Sequence, residues 1–516
     1  MDLERKPNNL EFKMRNKQEA FKSFFIISIS LIIAFVSNLL IVLILTHNFP
    51  PGEYAVYQFS LTFLTFFTIF SNIGLSTTII QQLSAEKDKD HHKLVRLFSE
   101  GLKWIILFTL IFSLILFFSA DFFEIFYQLP GLGIVLKFTS LILISNNIVN
   151  YFESIFQGLW KFKLFAISFI FSKVIKVVIV SLIFIIDMSL PQIIALFSIA
   201  LLIQLIVILG FSQIKYRYLS SFFSFNRELS RTLLKFSIFI FLYVFFQNVI
   251  TYSNQFILAA FVIPAEIAHY TIVQWMIVSF SIPAIIFSRF ILPYVSHYIQ
   301  KVEEERGKIQ TIYNLIFRYG LLLTIPISFY FLIFSDPLIA LMFDPSYYPV
   351  SNYLKLYIFF LNINIIDVAG GHFLWASNEP KLVYKLYAVT SFFTLTMSFI
   401  LIPILYTLGA ILSIMIPHSI YTIYSIFLVK RKNKIEFDSN LLPTIFKYII
   451  SAFSVMILLY VINLIFQFNL NNILILLTFS GIYFGIFLIM ILLLRGVTLM
   501  EIKDFIKLLR NSIFKN

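Results

Sequence analysis

The sequence predicts an all-α polytopic membrane protein with about 14 transmembrane helices, arranged as two parallel six-helix lobes plus two C-terminal helices. Three observations predict this fold. Hydrophobic residues make up 59% of the 516 residues and charged residues only 13%, whereas soluble domains carry about 25% charged residues. Apolar stretches long enough to cross a bilayer recur along the whole chain. The basic residues are concentrated in alternate connections between these stretches, as expected for cytoplasmic loops.

The apolar stretches give the predicted spans in order. The first lobe holds six, at 22–46, 54–80, 97–119, 132–152, 164–186 and 191–213. The second lobe holds six more, at 235–261, 266–288, 312–335, 350–373, 384–406 and 408–429, and two further spans follow at 446–466 and 471–494. The predicted domains are 1–214 (N-terminal lobe), 215–234 (cytoplasmic linker), 235–430 (C-terminal lobe) and 431–516 (last two spans and an amphipathic cytoplasmic tail).

The basic residues predict the orientation. Of 39 lysines and arginines, 35 lie in the two terminal tails or near the connections that follow even-numbered spans. The opposite connections carry acidic residues instead, namely Glu53, Asp121, Glu124, Asp187, Glu266, Asp336 and Asp344. The positive-inside rule therefore predicts a multi-pass protein of the cytoplasmic membrane with both termini in the cytoplasm. The net charge of +13 then reflects orientation and contact with anionic lipids, and no nucleic-acid partner is expected.

An internal repeat supports the two-lobe prediction. The stretch "PPGEYAVYQF" (Pro50–Phe59) matches "IPAEIAHYTI" (Ile263–Ile272) at an offset of 213 residues. Asp121 matches Asp336 at an offset of 215. A nearly constant offset indicates duplication, and a repeat of six spans returns the chain to its starting side. The two lobes should therefore run parallel, with a cavity between them.

Several motifs carry a family resemblance. They include "PPGEYAVYQFSLTFLTFFTIFSNIGLSTTI" (from Pro50), "PYVSHY" (Pro293–Tyr298), "SDPLIALMFDPSY" (Ser335–Tyr347), "NEPKL" (Asn378–Leu382) and "LIPILYTLGAILS" (Leu401–Ser413). Together they resemble Wzx-type polysaccharide flippases of the multidrug/oligosaccharidyl-lipid/polysaccharide exporter superfamily, which has a MATE-like fold. The resemblance implies a flippase that moves a polyprenyl-pyrophosphate-linked oligosaccharide from the inner to the outer leaflet by alternating access.

Two lysines interrupt the fifth predicted span. Lys173 lies about nine residues into it, near the middle of a core about 30 Å thick, and Lys176 is about one turn deeper. A lysine at the bilayer centre costs about 2.5–3.5 kcal/mol. We expect a cationic patch that faces the cavity and binds pyrophosphate or an acidic sugar. The alternative is a structural pair with a carboxylate, although no carboxylate in the neighbouring spans is an evident partner. Lys137 and Lys355 lie near outer ends and are expected to snorkel.

Other polar residues within the spans are further candidates. Amides in the first, second and seventh spans are expected to bind sugar in the cavity or to bond between helices, namely Asn38, Asn72, Gln247, Asn248, Asn254 and Gln255. Arg289 flanks the inner mouth and is either a substrate ligand or a positive-inside residue. Asp367 and His372 are candidates for ion coupling, since an intramembrane carboxylate is a functional candidate by default. The alternative is a hydrogen-bonded structural aspartate near the interface. The uncharged Asn254 and Gln255 depart from the acid–base pattern that the resemblance implies in the seventh span, which weakens ion coupling there.

Other functions remain open at this point. A multidrug extruder of the same superfamily would favour an acidic cavity for cationic drugs. A membrane-embedded polysaccharide polymerase or ligase would need a sizeable catalytic outer loop, and a structural assembly platform is a third alternative. The chain has no cysteine and no phosphate-loop, metalloprotease or nucleophile-elbow motif. We therefore expect no enzyme activity, cofactor or metal. The expected partners are the lipid-linked oligosaccharide, anionic lipids and a polysaccharide polymerase or ligase complex.

Overall fold

The computed structural model describes residues 9–86, 91–216, 226–281, 302–376, 380–433 and 438–497, and this part of the chain is almost entirely helical. The first half contains α1 (Asn9–Asn48), α2 (Pro51–Asn72), α3 (Leu75–Glu86), α4 (His91–Tyr127), α5 (Leu132–Gly158), α6 (Phe162–Ser181) and α7 (Leu190–Tyr216). The second half contains α8 (Arg227–Phe261), α9 (Pro264–Phe280), α10 (Val302–Met342), α11 (Pro349–Tyr357), α12 (Phe360–Asp367), α13 (Phe373–Ala376), α14 (Pro380–Asn433), α15 (Leu441–Phe466) and α16 (Ile473–Leu493). Short 3₁₀ turns lie at Leu182–Phe184 and Pro345–Tyr347, and a π-helical turn at Val368–His372 joins α12 to α13.

The membrane-spanning helices confirm the predicted fold class. Eleven helices in the described part are long and apolar enough to cross a membrane, and the bent pair Pro345–Tyr357 and Phe360–Gly371 makes a twelfth. The 54-residue α14 contains the predicted eleventh and twelfth spans, and non-helical backbone at Tyr406 (φ 53°, ψ −127°) separates them. The 17-residue α9 covers the start of the predicted eighth span, whose remainder lies outside the described residues. About fourteen predicted segments are thereby accounted for.

The same local features begin corresponding helices in the two halves. Pro51 begins α2 and Pro264 begins α9, and Glu53 and Glu266 lie in the respective first turns. Proline suits the first helical position because its φ is already helical and its missing N–H would have had no partner there. A carboxylate in the first turn interacts favourably with the positive end of the helix dipole.

The helices of the first half pack around α5, whereas the second half contains two main packing groups, one around α8 and one around α10. In the first half α5 packs against α2, α3, α4 and α7, and α1 packs along α6. In the second half α8 packs along α14, and α10 packs against α12 and α15. The final helices α15 and α16 pack on each other and on α10.

The two halves meet through α2 and α3 on one side and α8 and α9 on the other. Gly74 lies between α2 and α3 with φ +73°, and a Cβ built there would lie 2.7 Å from the backbone oxygen of Ser237 on α8. Glycine is therefore required for both the backbone angle and the close approach. Near the same end, the buried Glu100 of α4 accepts hydrogen bonds from the backbone N–H of Asn226 (2.9 Å) and the hydroxyl of Ser230 (2.7 Å), at the start of α8.

An acid–lysine pair recurs in each half. Nζ of Lys137 lies 2.8 Å from Asp121, and Nζ of Lys355 lies 2.7 Å from both carboxylate oxygens of Asp336. These lysines were expected only to snorkel, whereas each is paired with the acid that the sequence repeat identifies. The repeat therefore extends from sequence motifs to an ion pair.

Candidate functional site

The lysines of the fifth span lie on the faces of α6 that point away from its most exposed side. Ile167, Phe171, Val174 and Val178 are exposed and form one stripe, because they recur every three or four residues. At about 100° per residue, Lys176 lies opposite this stripe and Lys173 lies about a third of a turn from it. Both lysine side chains are half-buried.

The contacts of this lysine pair lie within the first half. Nζ of Lys173 is 5.5 Å from the ring centre of Phe169, and Nζ of Lys176 is 5.6 Å from the ring centre of Phe197 on α7. Such cation–π contacts are worth about 0.5–2 kcal/mol and leave the ammonium donors available. The lysines also repel each other electrostatically.

Glu153 is the carboxylate that the sequence reasoning did not find. It is buried on α5 and interacts electrostatically with Lys173. The hydroxyl of Ser168 on α6 donates to Glu153 at 2.7 Å, and the side chain of Gln204 on α7 donates to the same hydroxyl at 3.1 Å. The expectation that Lys173 has no evident acidic partner was therefore wrong. Glu153 lies one residue beyond the predicted end of the fourth span, so it is not among the residues of the predicted spans.

The lysine–glutamate cluster has a formal charge of +1, because Glu153 offsets one of the two lysines. Its polar groups are fixed by three packed helices, α5, α6 and α7. Ammonium groups bind phosphate as point charges with little geometric demand. This cluster can therefore attract an anionic group into the first half.

A second polar site is a cavity of about 280 Å³ within the second half. Helices α8, α9, α12 and α14 surround it. Its polar lining consists of Gln247, Thr251, Gln274, Ser281, Tyr357, Asn364, Asp367, Tyr387 and His418. Amide, hydroxyl, imidazole and carboxylate groups together provide both donors and acceptors, so the cavity suits a polar ligand or ion.

Asp367 is positioned by an irregular part of its helix. It immediately precedes the π-helical turn, and its side chain accepts a hydrogen bond from the backbone N–H of Gly371 at 3.2 Å. Nε2 of His418 lies 4.0 Å from the other carboxylate oxygen. A Cβ built on Gly371 would lie 2.1 Å from the hydroxyl of Tyr421, so glycine lets α14 approach this turn. Single π turns within helices often occur at functional sites.

Three of the predicted amides, Asn72, Asn248 and Asn254, serve local or interhelical contacts. Asn38 is half-buried on α1. Asn72 bonds to Ser76 through both side-chain atoms across the break between α2 and α3. Asn248 donates to the carbonyl of Val244 in its own helix. Asn254 is buried and bonds to Ala410 (2.6 Å), Ser413 (3.0 Å) and Ser398 (2.5 Å), which lie on either side of the break in α14.

Gln255 and Gln247 lie nearer the second cavity. Gln247 lines it directly. Gln255 is buried, accepts a hydrogen bond from Thr62 of α2 and donates to Gln274, which lines the cavity. Arg289 and the side chain of His372 lie outside the described residues. The structure therefore brings Gln247, Gln255 and Asp367 to one region and places Lys173 and Lys176 in another.

His418 is the other site residue that sequence reasoning missed. It falls within the predicted twelfth span, so it was as visible as Asp367 as an ionisable group inside the membrane. Tyr421, three residues along the same helix, is a neighbour that helical spacing predicts, with 5.5 Å between ring centres. Phe360 of α12 lies 5.2 Å away between ring centres and could not be predicted, because it comes from another helix. The described part of the chain contains no group of three His, Asp or Glu residues that could hold a metal ion.

Solved structures of membrane transport proteins have the same architecture as this chain. The solved structure of the lipid II flippase MurJ in an inward closed conformation superposes with a TM-score of 0.72 at 16% identity, covering 93% of this chain and 99% of that one. An inward-facing multidrug resistance MATE transporter of the MOP superfamily superposes with a TM-score of 0.61 at 13% identity, covering 78% and 94%. An uncharacterised membrane protein of Methanocaldococcus jannaschii is 22% identical over 488 residues, covering 89% and 92%.

The superfamily resemblance of the sequence motifs is confirmed by these folds and by a family model. The model described as polysaccharide biosynthesis protein matches residues 20–299, which is more than half of the chain. The chain therefore belongs to the polysaccharide biosynthesis protein family.

Proposed function

We propose that this protein is a flippase that moves a polyprenyl-pyrophosphate-linked oligosaccharide from the inner to the outer leaflet by alternating access. It would act in the cytoplasmic membrane with both termini in the cytoplasm, as the distribution of basic residues favours. Membership of a polysaccharide biosynthesis family and a fold shared with a lipid II flippase both support a transport role in glycan assembly. Anionic lipids and a polysaccharide polymerase or ligase are the proposed partners.

The positive cluster on α6 is the observation that carries the proposal. A pyrophosphate must leave water to cross the membrane, and burying an anion without compensation is costly. Lys173 and Lys176 point away from the exposed stripe of α6, and Glu153 offsets only one of them. The remaining positive charge compensates an anion better than it would a cationic drug, which favours the flippase over the multidrug extruder.

The experiment is a flipping assay with purified protein. Proteoliposomes contain polyprenyl-pyrophosphate-linked N-acetylglucosamine, and a membrane-impermeant galactosyltransferase modifies only the sugar exposed outside. We expect the native protein to make the inner-leaflet lipid accessible. The double variant Lys173→Gln/Lys176→Gln should lose this activity while it still inserts, and Lys→Arg changes should retain part of it.

The controls separate charge at the site from charge elsewhere. Lys137→Gln removes a lysine from the same half at its outer end and should leave flipping intact. Normal flipping by the double Gln variant would show that the two lysines are not needed for transport. Transport of a cationic dye by the native protein, with no movement of the glycolipid, would establish the multidrug alternative instead.

A further inference from the structure

A pocket near the outer end of the second half is separate from both sites described above. It has a volume of about 560 Å³, within the usual range of ligand sites. The end of α10, the start of α11 and the turn between α15 and α16 form its walls. Its polar and aromatic lining includes Asp336, Tyr348, Asn463, Phe468, Asn469 and Asn471.

The polar groups of this pocket provide both donors and acceptors. Asn463 has a buried side-chain oxygen without a hydrogen-bond partner in the described part of the chain. The side-chain oxygen of Asn469 accepts from the backbone N–H of Asn471 at 3.1 Å, which shapes the turn and leaves the amide NH₂ of Asn469 without a partner among the described residues. Each asparagine amide offers one acceptor oxygen and two donor hydrogens. Hydroxyl groups, which both donate and accept, match this set.

The charges of the pocket disfavour an anionic ligand. Lys355 is held by both oxygens of Asp336 at 2.7 Å, so its positive charge is neutralised within the protein. The Asp336 side chain remains 60% exposed, and because the pair has no net charge it offers nothing to compensate a phosphate. A lipid headgroup phosphate therefore fits poorly, whereas a neutral hydroxyl can donate to the carboxylate.

Two aromatic rings complete the site. Tyr348 is 44% exposed and Phe468 is 41% exposed, and both line the pocket. An exposed aromatic face carries negative charge density and packs against the weakly positive C–H face of a sugar ring. The first half repeats the acid–lysine pair at Asp121 and Lys137, but only the second half adds the asparagine-rich turn between α15 and α16.

We propose that this pocket binds an uncharged hexopyranose unit of a glycan on the outer side of the membrane. The inference rests on the proposed function for the source of its ligand, the glycan of a lipid carried to the outer leaflet. Asp336 and the asparagines would bond to the sugar hydroxyls, and Tyr348 would stack on the ring. The site would hold the glycan after translocation and so favour the state in which the lipid lies on the outer side.

The test is saturation-transfer NMR on the full-length protein in nanodiscs. The probes are the methyl glycosides of glucose, galactose, mannose and N-acetylglucosamine, with glycerophosphoethanolamine as the headgroup probe. We expect at least one glycoside to bind. Asn469→Ala/Asn471→Ala should raise its Kd roughly tenfold, because two hydrogen bonds are removed. Tyr348→Ala, which leaves the turn intact, should raise it as well.

A matched variant serves as the control, and three outcomes count against the proposal. Asn48→Ala changes an exposed asparagine at the outer end of α1 and should leave the Kd unchanged. If no glycoside binds, if the headgroup probe alone binds, or if the pocket variants bind like the native protein, the proposal is overturned. The soluble glycosides need no flipping, so a failed flipping assay with intact glycoside binding would overturn only the proposed function.

Discussion

Thr62 of α2 donates a hydrogen bond to the side-chain oxygen of Gln255 on α8, across the boundary between the two halves of the chain. Gln255 then donates to Gln274 of α9 at 2.6 Å, and Gln274 donates to the backbone carbonyl of Thr251 at 2.7 Å. Thr62, Gln255 and Gln274 are all buried. A buried polar chain of this kind is stabilising only while every member keeps its partner.

Replacing Gln255 by leucine should therefore destabilise the protein. The substitution leaves the hydroxyl of Thr62 and the side-chain oxygen of Gln274 buried without these partners, and we expect the free energy of unfolding to fall by roughly 2–4 kcal/mol. Thermal unfolding in detergent measures the change. Gln81→Leu, at an exposed position on α3, is the control and should have little effect. Equal midpoints for the two variants would contradict the structural role of Gln255.

The orientation can be tested because the chain has no native cysteine. Single cysteines at Ser119 and Pro349 should react with a membrane-impermeant thiol reagent from outside intact cells. Single cysteines at Ser84 and Asn433 should react only after the membrane is opened. Labelling of the Ser84 position from outside would reverse the proposed orientation.

A change at Glu153 should alter the affinity for an anion in the opposite direction to a change at either lysine. Glu153→Gln keeps a hydrogen-bond acceptor for Ser168 and removes the negative charge next to Lys173. If the cluster binds an anion, inorganic pyrophosphate should bind more tightly to this variant and more weakly to Lys176→Gln, in an equilibrium binding measurement at fixed ionic strength. A weaker affinity in Glu153→Gln, with the fold retained, would show that the acid supports the site in another way.

Asp367 is proposed to couple transport to an ion gradient. Asp367→Asn preserves the acceptor for the N–H of Gly371 and removes the charge from the second-half cavity. We expect the flipping rate of this variant to become independent of an imposed proton or sodium gradient. Asp121→Asn, in the acid–lysine pair of the first half, should keep whatever gradient dependence the native protein has. An Asp367→Asn variant that still responds like the native chain would exclude this role.

Gly409 is required where the chain turns between the two parts of α14. A Cβ built there would lie 2.3 Å from the backbone oxygen of Leu401 and 2.5 Å from its carbonyl carbon. Gly409→Ala should destabilise the protein by about 1–3 kcal/mol, because backbone must move to relieve the overlap. Gly481→Ala, where a Cβ meets open space within α16, should instead stabilise by about 0.5–1 kcal/mol. Unfolding midpoints of the two variants should shift in opposite directions.

The fold was predictable because its determinants are local. Hydropathy identifies each span, and charge asymmetry needs no knowledge of packing. The paired prolines and glutamates of α2 and α9 sit at their predicted places, and the repeat of Asp121 and Asp336 was visible as an offset. Only their lysine partners needed the structure, since each pair joins neighbouring helices.

The sites were less predictable because they depend on which helices pack together. Asn254 was an apparent cavity ligand from its position in the seventh span, yet its amide is fully engaged by two parts of α14. Lys173 and Glu153 are 20 residues apart and interact electrostatically only because α5 and α6 are neighbours. The hydrophobic periodicity of one helix does not predict which other helix packs against it.

The acid–lysine pairs have a consequence for the work that voltage does on this protein. Lys137 and Lys355 are each neutralised by a carboxylate of the same half, so a rocking motion of either half carries no net charge from these pairs through the electric field of the membrane. One elementary charge moved across 100 mV corresponds to about 2.3 kcal/mol. In the proposed alternating-access cycle these two pairs would add nothing to the voltage dependence, whereas the α6 cluster and the charge of the substrate would contribute to it. An empty carrier and a loaded one should then return different currents.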